Sequence, residues 1–103
     1  MFNPPHPGEV LMNAFVEEKN IKIKALAEHL GFSRETLSRV LHAKTPMTAN
    51  LALSLEEAGI STASFWLSLQ TQYDLWQLKN NRTSHIKPFV SQKKAQTTSA
   101  VAL

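Results

Sequence analysis

Residues 21–44 read IKIKALAEHLGFSRETLSRVLHAK, and the spacing inside this stretch decides the fold. With Ile23 opening a helix, the small Ala27 falls where two helices must cross closely. Gly31 falls at the turn between them, where a positive φ is easiest to place. Leu26, Leu30, Phe32, Leu37 and Val40 supply the apolar contacts that hold the pair at a fixed angle. Ser33 suits the N-cap of the second helix, because its hydroxyl oxygen can accept from an orphan N–H of the first turn. These placements agree within one window of about 20 residues, the span of a helix-turn-helix.

A helical wheel separates what the second helix buries from what it offers. Leu37, Val40 and Leu41 gather on the inner face, Glu35, Ser38, Arg39 and His42 point outward, and Arg34 and Thr36 flank them. Almost every group on that outer face can exchange hydrogen bonds with base edges: arginine takes guanine bidentately, and Ser, Thr and His reach bases or phosphates. Glu35 is the awkward member, since a carboxylate repels phosphate. It must meet a cytosine amino group, pair with a neighbouring arginine, or stay in water. A solvated polar face is the plain alternative for any single amphipathic helix, and the complete turn pattern is what favours DNA reading.

At 103 residues the chain has room for one domain with a modest core. It contains no cysteine, which excludes a disulfide scaffold and fits a reducing compartment. No run approaches the roughly 18 apolar residues of a membrane span, and the opening MFNPPHPGEV lacks the basic-then-apolar order of a signal peptide. A soluble cytoplasmic protein without a membrane partner is the expectation. The formal charge of +3 is unevenly spread: residues 1–79 hold seven Lys/Arg against all eight acids and sum to −1, whereas residues 80–103 hold Arg82, Lys87, Lys93 and Lys94 and sum to +4. Overall basicity therefore says nothing about the folded part, and the local face must carry any claim to nucleic acid.

Upstream, Asn3-Pro4-Pro5-His6-Pro7-Gly8 is too proline-rich for a helix until Pro7, which suits the first helical position, with Glu9 at the positive end of the dipole. Val10, Leu11, Ala14 and Phe15 are expected on the core face of this first helix, with Glu17 and Glu18 solvated and Lys19-Asn20 closing it. Downstream, residues 43–47 make a loop and Thr48 caps a fourth helix whose buried stripe is Leu51, Ala52, Leu55 and Ala58, ended by Gly59. Lys22, Lys24, Lys44 and Thr45 lie near the ends of the reading unit, where phosphate contacts strengthen binding without reading sequence.

Residues 61–64 cap a fifth helix, FWLSLQTQYDLWQLK, which carries both tryptophans. Phe65, Trp66, Leu69, Tyr73 and Trp76 share one face, and Leu67, Leu75 and Leu78 fall nearly opposite. The domain core can cover the first face. The second needs another cover: a copy of the same protein is the simplest, and the chain's own tail is the alternative. From Asn80 the helical periodicity is lost, and composition points to a disordered basic extension in which Ile86, Phe89 and Val90 can dock on a surface. The domain reading is thus 1–79 for the folded unit and 80–103 for the extension.

Three stretches together resemble the HigA-type antitoxins of type II toxin–antitoxin modules, within the Xre/Cro-like repressor class. They are His6-Pro7-Gly8-Glu9; Leu30-Gly31-Phe32-Ser33-Arg34 continuing to Leu37-Ser38-Arg39-Val40-Leu41; and Phe65-Trp66-Leu67 with Leu69-Gln70 and Tyr73-Asp74-Leu75-Trp76. The helix-turn-helix is shared far more widely, and the combination with the aromatic segments carries the specificity. The resemblance implies an all-α, five-helix, lambda-repressor-like domain with a C-terminal extension. It also implies a homodimer that represses its own operon at a palindromic operator and neutralises a RelE-like ribonuclease toxin. Carried over, Ser33, Arg34, Glu35, Thr36, Ser38, Arg39 and His42 face the major groove; Lys44, Thr45 and Thr48 hold phosphates; and Leu67, Tyr73, Asp74, Leu75 and Leu78 form the dimer contact. The tail beyond Asn80 matches no family pattern.

Two other classes compete with this reading. An enzyme is disfavoured: His6, His29, His42 and His85 are scattered, Glu28-His29 lacks the second histidine of a zinc-protease helix, and there is no phosphate loop, nucleophile elbow or carboxylate pair. Neither a metal nor a cofactor is expected. The stronger rivals are a helix-turn-helix regulator without a toxin and a helical interaction module, the latter favoured by the apolar fifth helix and the absence of net positive charge on the folded part.

Overall fold

The computed structural model describes residues 3–90. Five α-helices follow one another: α1 (Pro7–Leu11), prolonged by a π-helical segment at Met12–Glu17, then α2 (Ile23–Leu30), α3 (Arg34–Leu41), α4 (Ala49–Glu57) and α5 (Ala63–Asn81). No strand occurs among the described residues. Helix α5 runs two residues past the expected boundary at 79. Residues 82–90 continue as an extended, exposed strap. The remainder of the expected extension, including Lys93 and Lys94, lies outside the described residues.

Four of the five α-helices begin at a side-chain cap. The His6 ring caps α1, with Pro7 in the first helical position; Ser33, Thr48 and Thr62 cap α3, α4 and α5 by accepting from the N–H of the residue three ahead. Only α2 begins without a side-chain cap. The ends share one device. Asn20, Gly31, Ala43 and Gly59 all take positive φ. Each donates to the carbonyl three residues back, and the following residue donates to the carbonyl five residues back: Ile21 to Val16, Phe32 to Ala27, Lys44 to Arg39 and Ile60 to Leu55. Four helix ends thus close with the Schellman pattern that satisfies otherwise orphaned carbonyls.

The core lies where α1, α3, α4 and α5 meet. Leu11, Leu37, Leu41, Leu51 and Leu55 are fully buried there, joined by Ala27, Val40, Met47 and Trp66. Ala27 of α2 is fully buried in this core. Gly8 touches the main chain of α3: a Cβ at this position would collide with the carbonyl of Val40. Backbone therefore packs on backbone, which no side chain could permit.

Two expected core residues lie outside. Ala14 is exposed and Val16 is buried in its place. The π-helical turn closes wider rings and takes up about one extra residue, so the inward face slips along the chain. Ala58 is exposed because α4 stops at Glu57, and Ile60, after the turn, packs against the core instead. Phe65 is also less covered than its face suggested, at 41 % exposure.

Candidate nucleic-acid interface

Helix α3 is pinned from behind and free in front. Leu37, Val40 and Leu41 are buried, while Arg34, Glu35, Thr36, Arg39 and His42 are exposed and Ser38 is half-covered. The structure therefore brings the six groove-facing candidates of the helix and its C-cap to one side of a single element. Ser33, the seventh, sits at the N-cap: its Oγ accepts from the Thr36 N–H at 3.1 Å and donates to Thr36 Oγ1 at 2.8 Å. That arrangement ties Ser33 and Thr36 to each other in the free protein, and leaves Arg34, Glu35 and Arg39 as the extended, uncommitted side chains.

His42 is oriented rather than loose. Its Nδ1 lies 2.8 Å from the Ser38 carbonyl oxygen, and 3.3 Å from Ser38 Oγ. A carbonyl oxygen only accepts, so the neutral ring carries its proton on Nδ1 and keeps Nε2 as an acceptor directed outward. An acceptor there suits a base amino group.

The loop after α3 differs from the other helix ends in one respect. At three ends the residue after the positive-φ position is apolar, and Ile21, Phe32 and Ile60 all pack against the core. At the end of α3 that place is taken by Lys44, which is exposed. The Arg39 carbonyl receives the N–H groups of Lys44 at 2.8 Å and Thr45 at 3.4 Å, so the cation is carried on an ordered turn next to the polar face of α3. Thr48 follows as the cap of α4. Its Oγ1 accepts from the Leu51 N–H at 3.2 Å, which leaves the hydroxyl hydrogen able to donate elsewhere.

Two residues that sequence reasoning did not assign support this loop. Gln70 on α5, only 7 % exposed, accepts from the Met47 N–H at 2.7 Å through Oε1 and donates to Asp74 Oδ1 at 2.9 Å. His6, 2 % exposed, accepts from the Gly8 N–H at 2.9 Å through Nδ1 and stands edge-on to Tyr73, ring centres 5.0 Å apart. His6, Ala43, Lys44, Thr45, Gln70, Tyr73 and Asp74 border one cleft. Burial pulls the His6 imidazole below its usual 6.5, opposed by the Glu9 carboxylate, the Thr45 main chain and the Asp74 carboxylate. No sequence signal marks Gln70 as buried. A histidine just before a Pro-Gly helix start is a legible cap.

Of the five expected dimer residues, Asp74, Leu75 and Leu78 are exposed on α5 and Leu67 and Tyr73 are partly covered. Tyr73 and Asp74 are engaged within the protomer with His6 and Gln70, and Leu67 packs partly on the core. Leu75 and Leu78 stand out at 49 % and 59 % exposure. Among the described residues there is no group of three metal-ligating side chains, and no helix is long and apolar enough to cross a membrane.

No protein-family model matches the chain. The chain is 36 % identical over 99 residues to antitoxin HigA-1 of Vibrio cholerae, covering 92 % of this chain and 93 % of that protein. Its fold is similar to that of Pseudomonas aeruginosa antitoxin HigA, solved with the higBA promoter, at a TM-score of 0.74 and 30 % identity, covering 84 % of this chain and 99 % of that one. It is similar also to antitoxin GraA in complex with its operator, at a TM-score of 0.73 and 30 % identity over 84 % of this chain and 95 % of that one.

Proposed function

The chain belongs to the HigA-type antitoxin family of helix-turn-helix transcriptional regulators, and we propose that it is an antitoxin that represses its own operon by binding a palindromic operator as a dimer. The observation that carries this reading is the outer face of α3, where Arg34, Glu35, Thr36, Ser38, Arg39 and His42 lie together on a helix locked from behind. On this reading α3 enters the major groove, Arg39 and Arg34 supply the donor forks that match guanine, and Lys44, Thr45 and Thr48 hold the flanking phosphates. Glu35 selects against phosphate and for a cytosine amino group.

Leu67, Leu75 and Leu78, with exposed Asp74 on the same face, form the dimer contact; Tyr73 contributes from the side of α5 that meets His6. A two-fold axis through that contact sets the paired α3 helices about 34 Å apart, one turn of duplex. The second partner in this proposal is a RelE-like ribonuclease toxin. Support for a protein partner comes from the strap after α5, whose Ile86, Phe89 and Val90 are all exposed.

The test is a mobility-shift titration against the DNA upstream of the chain's own gene, with scrambled competitor at two salt concentrations. A shift that survives competitor and weakens steeply with salt is expected, and Arg39→Ala should cost about 1–3 kcal/mol and relax preference at one base position. Failure to see any specific shift would remove the repressor reading. Co-purification with the neighbouring gene product then decides whether an antitoxin role survives without it.

A further inference from the structure

The loop that presents Lys44 and Thr45 is held at three points, and only one of them belongs to α3. The Arg39 carbonyl receives its N–H groups, Gln70 of α5 receives the N–H of Met47, and beneath it lies the buried His6 ring. His6 joins three parts of the fold. Its Nδ1 caps α1, its edge meets Tyr73 of α5, and the main chain of Thr45 approaches it from the loop. We propose that His6 is a positioning residue for operator binding: its neutral ring holds the 43–46 loop against α1 and α5, so that Lys44 and Thr45 meet the phosphates at a fixed distance. This rests on the operator reading above.

The protonation state follows from the hydrogen bond. Nδ1 accepts from the Gly8 N–H, so the neutral ring carries its proton on Nε2. A second proton must go to Nδ1, which would set one donor against another and remove the cap of α1. The groups facing the ring are Glu9 on α1, Tyr73 and Asp74 on α5, and Lys44 on the loop. The two carboxylates favour the charged ring and burial disfavours it, burial being the larger effect. Because the folded chain holds this proton less tightly than the unfolded chain, the clamp is complete above 6.5 and weakens as the pH falls below it.

His6→Asn separates this role from plain structural support, because asparagine is a good N-cap that does not titrate. Operator affinity is measured for wild type and His6→Asn at pH 7.5 and 5.5 at constant salt; the other histidines are common to both and cancel in the ratio. Wild type should lose more affinity on acidification than His6→Asn, by less than the roughly tenfold that a ring titrating at 6.5 would give at pH 5.5, because burial holds this ring lower. Identical profiles would overturn the proposal. Should His6→Asn not fold, NMR titration of the native chain decides: the Lys44 and Thr45 amide signals should move with the His6 ring, and signals that stay still would sink the idea. If wild type binds no specific DNA at pH 7.5, the operator reading has failed, and the amide titration alone judges whether the ring governs the loop.

Discussion

The turn before the reading helix and the loop after it have the same backbone and opposite side chains. At Gly31-Phe32 a positive-φ glycine is followed by an aromatic ring packed on the core; at Ala43-Lys44 a positive-φ alanine is followed by an exposed cation. Both close with the same pair of hydrogen bonds. One end is therefore built for rigidity, since its apolar ring locks α2 against α3. The other accepts backbone strain and forgoes an apolar anchor while placing a charge beside the exposed polar face of α3. Its missing anchor is supplied from a distance, by Gln70 and His6.

The largest separation between the two ends should come from removing the residue that follows each positive-φ position. Phe32→Ala should lower unfolding free energy by about 2 kcal/mol, below the full cost of a buried Phe because the ring is only partly covered. Urea denaturation measures it, and an unchanged midpoint would mean that the first turn is not anchored by its ring. Lys44→Ala should leave the urea midpoint in place and make the salt dependence of operator binding shallower by about 0.9 per protomer. A fall in stability with no change in salt slope would reverse the assignment of that loop.

The smallest effects are at the positive-φ residues themselves. Gly31→Ala places a Cβ in open space, so only the backbone preference is lost, at about 1 kcal/mol. Ala43→Gly should gain about 0.5 kcal/mol, the relief of the left-handed alanine offset by a more flexible unfolded chain. Equal and opposite shifts at the two positions would make the ends energetically alike. A loss at Ala43→Gly would show that its methyl packs usefully beneath the loop.

Much of the site is legible in the chain because its causes are local. Ser33 and Thr48 cap as their hydroxyls dictate, Asn20, Gly31 and Gly59 take the left-handed geometry they tolerate, and the wheel of α3 separates Leu37, Val40 and Leu41 from the polar face. Ala14 and Val16 exchange roles because a π-helical turn depends on how the whole helix seats, which a regular period does not encode. The wheel of α5 puts Tyr73 on the core side but cannot name its partner, which is His6, more than sixty positions away.

Helix α3, its caps and its polar face are determined by the amino-acid sequence itself, since each rests on residues within a turn or two of one another, and the family likeness is legible there as three short motifs. Tertiary structure alone decides that Gly8 lies against the carbonyl of Val40, that Gln70 completes the Met47 N–H and that His6 borders the same cleft as Lys44 and Thr45. The reason is physical. Those contacts join groups far apart in the chain, and their partners are chosen by how five helices share one small core, after local chemistry has already set where each helix begins and ends.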